Sequence, residues 1–152
     1  MRKFSKISMV IAVSLLVLLV SQPFASAAKA ESVIPVAIWA KAYDPVGQAL
    51  ADQVTEAFKK DKRYLVTNSE EHKMVIHLST QGAEDKSGQK ISAYAVIIAF
   101  DLSGNNYQTL VGNTVGICNS KEVSDDAKAI VYNTSKLLEG YPLLVEAVQK
   151  QK

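Results

Sequence analysis

The segment Ile91–Leu102, ISAYAVIIAFDL, has at its centre six consecutive apolar residues, Ala95 to Phe100. Side chains of a strand alternate between two faces, so a strand that is apolar on both belongs in the middle of a sheet. Turn signals bound it on either side, Asp85-Lys86-Ser87-Gly88-Gln89 before and Ser103-Gly104-Asn105-Asn106 after. His72–Thr80, with Met74, Ile76 and Leu78 on one side, and Tyr107–Cys118 read as its two neighbours. Two hairpins in a row predict an antiparallel meander.

The remaining segments arrange themselves around that strand. Ile34–Tyr43 alternates as a first strand, with Val36, Ile38, Ala40 and Ala42 on one face and Ala37, Trp39, Lys41 and Tyr43 on the other. From Pro45 to about Lys60, Val46, Leu50, Val54, Ala57 and Phe58 recur at helical spacing and form one apolar stripe. Tyr64–Val66 reads as a short extended return. Ser124, followed by Asp125 and Asp126, reads as a hydroxyl N-cap with two acids in the first turn, and Gly140 as that helix's stop. A last helical stretch starts at Pro142. The order β-α-β-β-β-α predicts an α+β fold, a mostly antiparallel four-stranded sheet with helices packed on one face.

The amino terminus predicts export. Arg2, Lys3 and Lys6 precede Ile7–Val20, fourteen residues that are apolar except for Ser8 and Ser14. That run is shorter than the roughly 20 residues of a membrane span. Gln22-Pro23 breaks it, and Ala25-Ser26-Ala27 offers the small residues that a signal peptidase requires. Residues 1–27 are therefore expected to be a cleaved secretory signal, with 28–152 as one domain; Ala28-Lys29-Ala30 is a second site three residues on. Cleavage removes three basic residues and no acidic one, leaving 14 basic against 15 acidic. A net charge of −1 argues against a nucleic-acid binder. Lys59, Lys60, Lys62 and Arg63 fall at a helix C-terminus, where cations favour the helix dipole.

Little in the chain suggests reaction chemistry. Asp44 and Pro45, between the first strand and the first helix, are the residues that a helix start prefers at N-cap and N1. In a phosphate loop, Asp44 would repel the anion and Pro45 would offer no N–H. The two histidines, His72 and His77, are five apart in an extended segment and point to opposite faces, so they do not share a metal. Cys118, the one cysteine, has no internal disulfide partner and reads as a small buried hydrophobe, with an intermolecular disulfide as the alternative. A hydrolase would require Cys118, His77 and an acid to converge. The pairs Glu70-Glu71, Glu84-Asp85 and Asp125-Asp126 are explained by solvation or helix capping. No cofactor, metal or catalytic site is expected.

Lys62-Arg63-Tyr64-Leu65-Val66 after the first helix, the polar stretch Thr67–Glu71, MVIHLSTQG, a Ser-Gly hairpin and YAVIIAFDLSG together resemble the amino-terminal domain of TolB. The same order of elements is similar to the α/β modules of the CsgG and LpoB type in bacterial envelope proteins. The resemblance implies a fold and a setting, without residue roles. The expected function is a non-catalytic, exported protein-interaction module in the bacterial cell envelope, periplasmic or secreted, whose partner is another envelope protein. The alternatives are a small periplasmic ligand-binding protein and a secreted enzyme inhibitor. Trp39, Tyr43 and Tyr94 are the candidate partner-binding residues, an aromatic patch if the helices leave their sheet face open; the alternative is that Trp39 packs under the helices and Ile38 faces out, and the sequence does not settle the register.

Overall fold

The computed structural model describes residues 33–68, 72–102 and 107–149. The expected signal, residues 1–27, and the turn at 103–106 lie outside them. The elements are β1 (Ile34–Lys41), α1 (Pro45–Lys60), β2 (Tyr64–Val66), β3 (Lys73–Glu84), β4 (Lys90–Asp101), β5 (Gln108–Asn119), α2 (Val123–Leu138) and α3 (Pro142–Gln149).

The fold is α+β, as expected, but the sheet has five strands and is mixed, in the order β2-β1-β3-β4-β5. Tyr64–Val66, expected only as an extended return, is a strand parallel to β1, with Ile34 opposite Tyr64 and Val36 opposite Val66. The physical reason is the crossover: α1 carries the chain back along the sheet, so the next strand runs the same way as β1. β3 lies on the other side of β1, again parallel, with Ile38 opposite Ile76 and Trp39 opposite His77. β3, β4 and β5 form the expected antiparallel meander. β4, with its doubly apolar centre, is an inner strand.

Register determines which side chains share a face. Val36, Met74 and Phe100 align across β1, β3 and β4, followed by Ile38, Ile76 and Ile98, and then by Leu78 and Val96. This face packs under Leu50, Val54 and Phe58 of α1 and Ala127, Ile130 and Val131 of α2, and Val148 of α3 joins the same core. At roughly 25 cal/mol per Å² of apolar surface, this contiguous cluster is the main stabilising term in a chain without an internal disulfide. The other face carries Trp39, His77 and Ile97 in one row, and Ser79, Ala95 and Val115 in the next.

The start of α2 differs from the expectation. The helix begins at Val123, Glu122 occupies the N-cap without a side-chain cap bond, and Ser124 lies inside the first turn. Val123 is buried, and an Asn119–Glu122 turn leads into it: Asn119 Oδ1 accepts from Lys121 N at 2.9 Å, and Asn119 Nδ2 donates to Glu122 Oε2 at 2.7 Å. Burial of Val123 draws the helix in one residue ahead of the hydroxyl. Gly140 follows the last turn, its N–H donating to Leu137 O at 3.0 Å.

Candidate functional site

Two places concentrate polar or exposed groups: the end of the sheet where α1 and α2 begin, and the sheet face turned away from those helices. At the first, Asp44 caps α1 as its sequence position implies. Its backbone is extended, and Oδ1 accepts from Gly47 N at 2.8 Å. The second carboxylate oxygen does what the local sequence does not reveal, accepting from Thr80 Oγ1 of β3 at 3.1 Å and from Ser92 Oγ of β4 at 2.9 Å. Both hydroxyl residues are buried. A Cβ on Gly82 would lie 2.7 Å from Asp44 Cβ, and one on Gly47 would lie 2.7 Å from Asp44 Oδ2, so both glycines permit the close approach. Burial pushes the Asp44 carboxyl up, but the donors from Gly47, Ser92 and Thr80 outweigh it and hold the group below its ordinary value. The turn is a helix cap tied to the sheet; its acceptors face donors already in place.

Next to it, Cys118 lies opposite Ser92 on β5 and is buried. Burial, with the charges of Asp126, Asp44 and Glu122 added, pushes its thiol up to about 11. At neutral pH the nucleophilic thiolate is therefore scarce. His77 is on the opposite face of the sheet, so the structure does not bring Cys118 and His77 together. Tyr94 also lies on the helix-covered side, where its hydroxyl donates to Asp126 Oδ1 over a long 3.4 Å. Burial and the Asp126 charge raise the Tyr94 phenol to about 12. Burial first, then Glu122 and Asp125, raise the Asp126 carboxyl. Gly116, opposite Tyr94 on β5, leaves room for the ring, since a Cβ there would meet its Cζ, Oη and Cε1.

The face away from α1 and α2 has a different character. Trp39 stacks edge-on against His77, with ring centroids 4.9 Å apart at 83°. His77 Nε2 lies 2.6 Å from Gln108 Oε1, a bond that reaches across β4 and fixes the imidazole. Trp39 and Ile97 are each 43% exposed, and Val115 and Ile117 are exposed further along. Ser79, Gln81, Ala93, Ala95, Val115 and Ile117 line a shallow hollow of about 740 Å³. In the row Ala37, Val75 and Ala99 the same face is buried.

Of the three residues expected to form an aromatic patch, Trp39 is on this face. Tyr43 lies beyond the end of β1 and is 69% exposed. Tyr94 belongs to the opposite side, so the three do not converge. Ile97, Leu110, Val115 and Ile117, none of them expected from the sequence as site residues, are exposed large apolar groups on the same face as Trp39. For Ile97 the available signal is its alternation with Val96 and Ile98, which in a strand apolar on both sides does not say which side is covered; for Val115 and Ile117 it is their alternation with Thr114, Gly116 and Cys118.

A second concavity, about 380 Å³, runs between α1 and α2, with Ala57, Ala127 and Val131 among its lining residues and Lys60 and Lys128 beside them. Among the described residues no group of three His, Cys, Asp or Glu side chains is placed to hold a metal ion. No described helix is long and apolar enough to cross a membrane.

Together these features define a mixed-sheet α+β protein with one helix-covered face and one partly exposed apolar face. No family model and no curated protein matches the chain. Among solved structures it is similar to a hypothetical protein from Chlamydia trachomatis, with a TM-score of 0.38 and 8% identity over 75% of this chain and 96% of that one.

Proposed function

We propose that the chain is a non-catalytic, exported protein-interaction module of the bacterial cell envelope, serving assembly, maintenance or transport, and that it binds its partner through the sheet face carrying Trp39. One observation carries the binding surface: the only tryptophan of the chain is held half in solvent and braced by His77, in a row that continues to exposed Ile97 on β4. Rigid aromatic residues with apolar neighbours supply large contact area at low entropic cost, the usual make-up of a binding hot spot. Support for export comes from the charged start, the apolar run and the small residues at 25–27.

The test is site-specific photo-crosslinking in living cells, with the reactive group at position 39 or at the exposed helix position Gln53, backed by Trp39→Ala and Glu56→Lys variants. One discrete crosslinked envelope protein at position 39, lost in Trp39→Ala and kept in Glu56→Lys, is the expected result. Capture abolished by Glu56→Lys and untouched by Trp39→Ala refutes the sheet-side surface.

The groove between α1 and α2 favours the second reading, a small ligand-binding protein. Its volume lies within the range of ligand pockets. An apolar floor beside Lys60 and Lys128 suits an amphipathic anion. Saturable protection of the helix amides by such an anion, with none on the strands, would favour that reading over the first.

A further inference from the structure

β5 closes the sheet at one end, and no described strand lies beyond it. An edge strand presents a row of unpaired amides and carbonyls, and folded proteins blunt such edges with short length, charges, proline or bulges. The other edge, β2, is only three residues long. β5 is 12 residues long, QTLVGNTVGICN, and contains no Lys, Arg, Asp, Glu or Pro. Its one irregularity lies opposite Ile98/Ala99, and from Gly112 to Asn119 the pairing with β4 is continuous. Within that regular stretch Val115 and Ile117 are 76% and 64% exposed. A long, uncharged, regular edge with exposed β-branched residues is a template for another strand.

We propose that β5 pairs antiparallel with β5 of a second copy of this chain, joining the two sheets edge to edge about a two-fold axis at Gly116. Self-pairing brings the same short segment of both copies to the axis, so a charged residue there would lie close to its own counterpart. β5 has none. With the axis at Gly116, Val115 of each copy faces Ile117 of the other, twice, on the side away from the helices, and branched cross-strand pairs of this kind stabilise antiparallel ladders. The two Gly116 residues meet where no side chain intervenes, since the Tyr94 ring already fills the space over that glycine. One strand pair with four branched side chains is small beside the roughly 1,600 Å² of a standard interface, so the dimer is expected to dissociate in the micromolar range. This pairing is independent of whether another protein binds the Trp39 end of the face.

The experiment is sedimentation velocity over a concentration series on the protein as cells accumulate it, with amide exchange at the two ends of the series. Wild type is expected to pass from monomer to dimer, with exchange slowing in residues 112–119 as the dimer forms. Val115→Lys and Ile117→Glu, both at exposed positions and checked for fold by circular dichroism, are each expected to weaken the dimer by roughly tenfold or more, as loss of a central contact does. Mixing the two variants sets Lys at 115 opposite Glu at 117 in one pair and leaves a native Val–Ile pair in the other, so a heterodimer is expected to return. A wild type monomeric at every concentration overturns the proposal. So does a dimer whose β5 amides exchange unchanged, a dimer indifferent to both substitutions, or a mixture that fails to recover.

Discussion

Asp44→Ala tests how firmly α1 is fastened to the sheet. Losing the cap bond to Gly47 N costs about 1 kcal/mol by itself. The same substitution removes the acceptor for Thr80 and Ser92, both buried, and a hydrogen bond lost from each adds about 0.5–1.5 kcal/mol. The expected total is therefore about 2–4 kcal/mol, a large part of the roughly 5–15 kcal/mol that holds a domain together. Urea denaturation followed by Trp39 fluorescence measures it. Asp44→Asn, which keeps one acceptor oxygen for Gly47, is expected to lose less. Thr80→Val is expected to cost less in the Asp44→Ala background than in wild type, because the hydroxyl it removes is already orphaned. The pH dependence has a definite sign. The folded carboxyl titrates below its ordinary 3.8, so its contribution is present above that pH and is lost as pH falls through the lowered folded value. The gap between wild type and Asp44→Ala should thus be full at pH 7 and narrow in strong acid. A loss under 1 kcal/mol, or strict additivity of Asp44→Ala with Thr80→Val, refutes the view that one carboxylate serves both cap and sheet.

Two further outcomes follow from the same end of the molecule. Cys118, with its thiol at about 11, is expected to resist iodoacetamide at pH 8 in the folded protein and to react at the rate of a free thiol in denaturant; rapid labelling of the native chain would contradict its buried, acid-flanked setting. Asp126→Asn is expected to raise the denaturation midpoint at pH 7, because the folded carboxyl is raised above 3.8 and its charge is a net cost there. That gain should vanish near pH 3, where the wild-type carboxyl is largely protonated whether folded or unfolded; an equal gain at both pH values would assign the effect to something other than the charge.

The legible parts of the chain were those where pattern and position coincide. β3, β4 and β5 could be read because turn residues bound them and β4 is apolar on both faces. Asp44-Pro45 announced the start of α1 through residue types that act locally. β2 was not legible as a strand: three residues carry no alternation, and its place beside β1 is decided by the crossover of α1. The side of Tyr94 is not legible, because nothing in SAYAVIIAF says which of two equally apolar sides meets the helices. Only the pairing of Trp39 with His77, and of His77 with Ile97, sorts them. The bonds from Thr80 and Ser92 to Asp44 join residues 36 and 48 positions away from it, a separation that no local pattern carries.

The placement of the helices on one side of the sheet leaves apolar strand over on the other, and the lengths of the elements add to it. α1 and α2 each have 16 residues and so extend about 24 Å, at 1.5 Å per residue. β3, β4 and β5 each have 12 residues and extend about 40 Å, at roughly 3.3 Å per residue. Two helices on one side do not cover strands of that length, and they lie on the side away from Trp39, Ile97, Val115 and Ile117. The two ends of the meander treat the excess differently. At the β3–β4 turn it is guarded by charge, with Glu84, Asp85, Lys86 and Lys90 all exposed. Along β5 no charge guards it. Core stability is indifferent to Val and Ile at 115 and 117 and to a bare edge, since neither contributes to the cluster under the helices. The two proposed contacts would cover them from outside the single chain, pairing along β5 at the edge and a partner over Trp39 on the face.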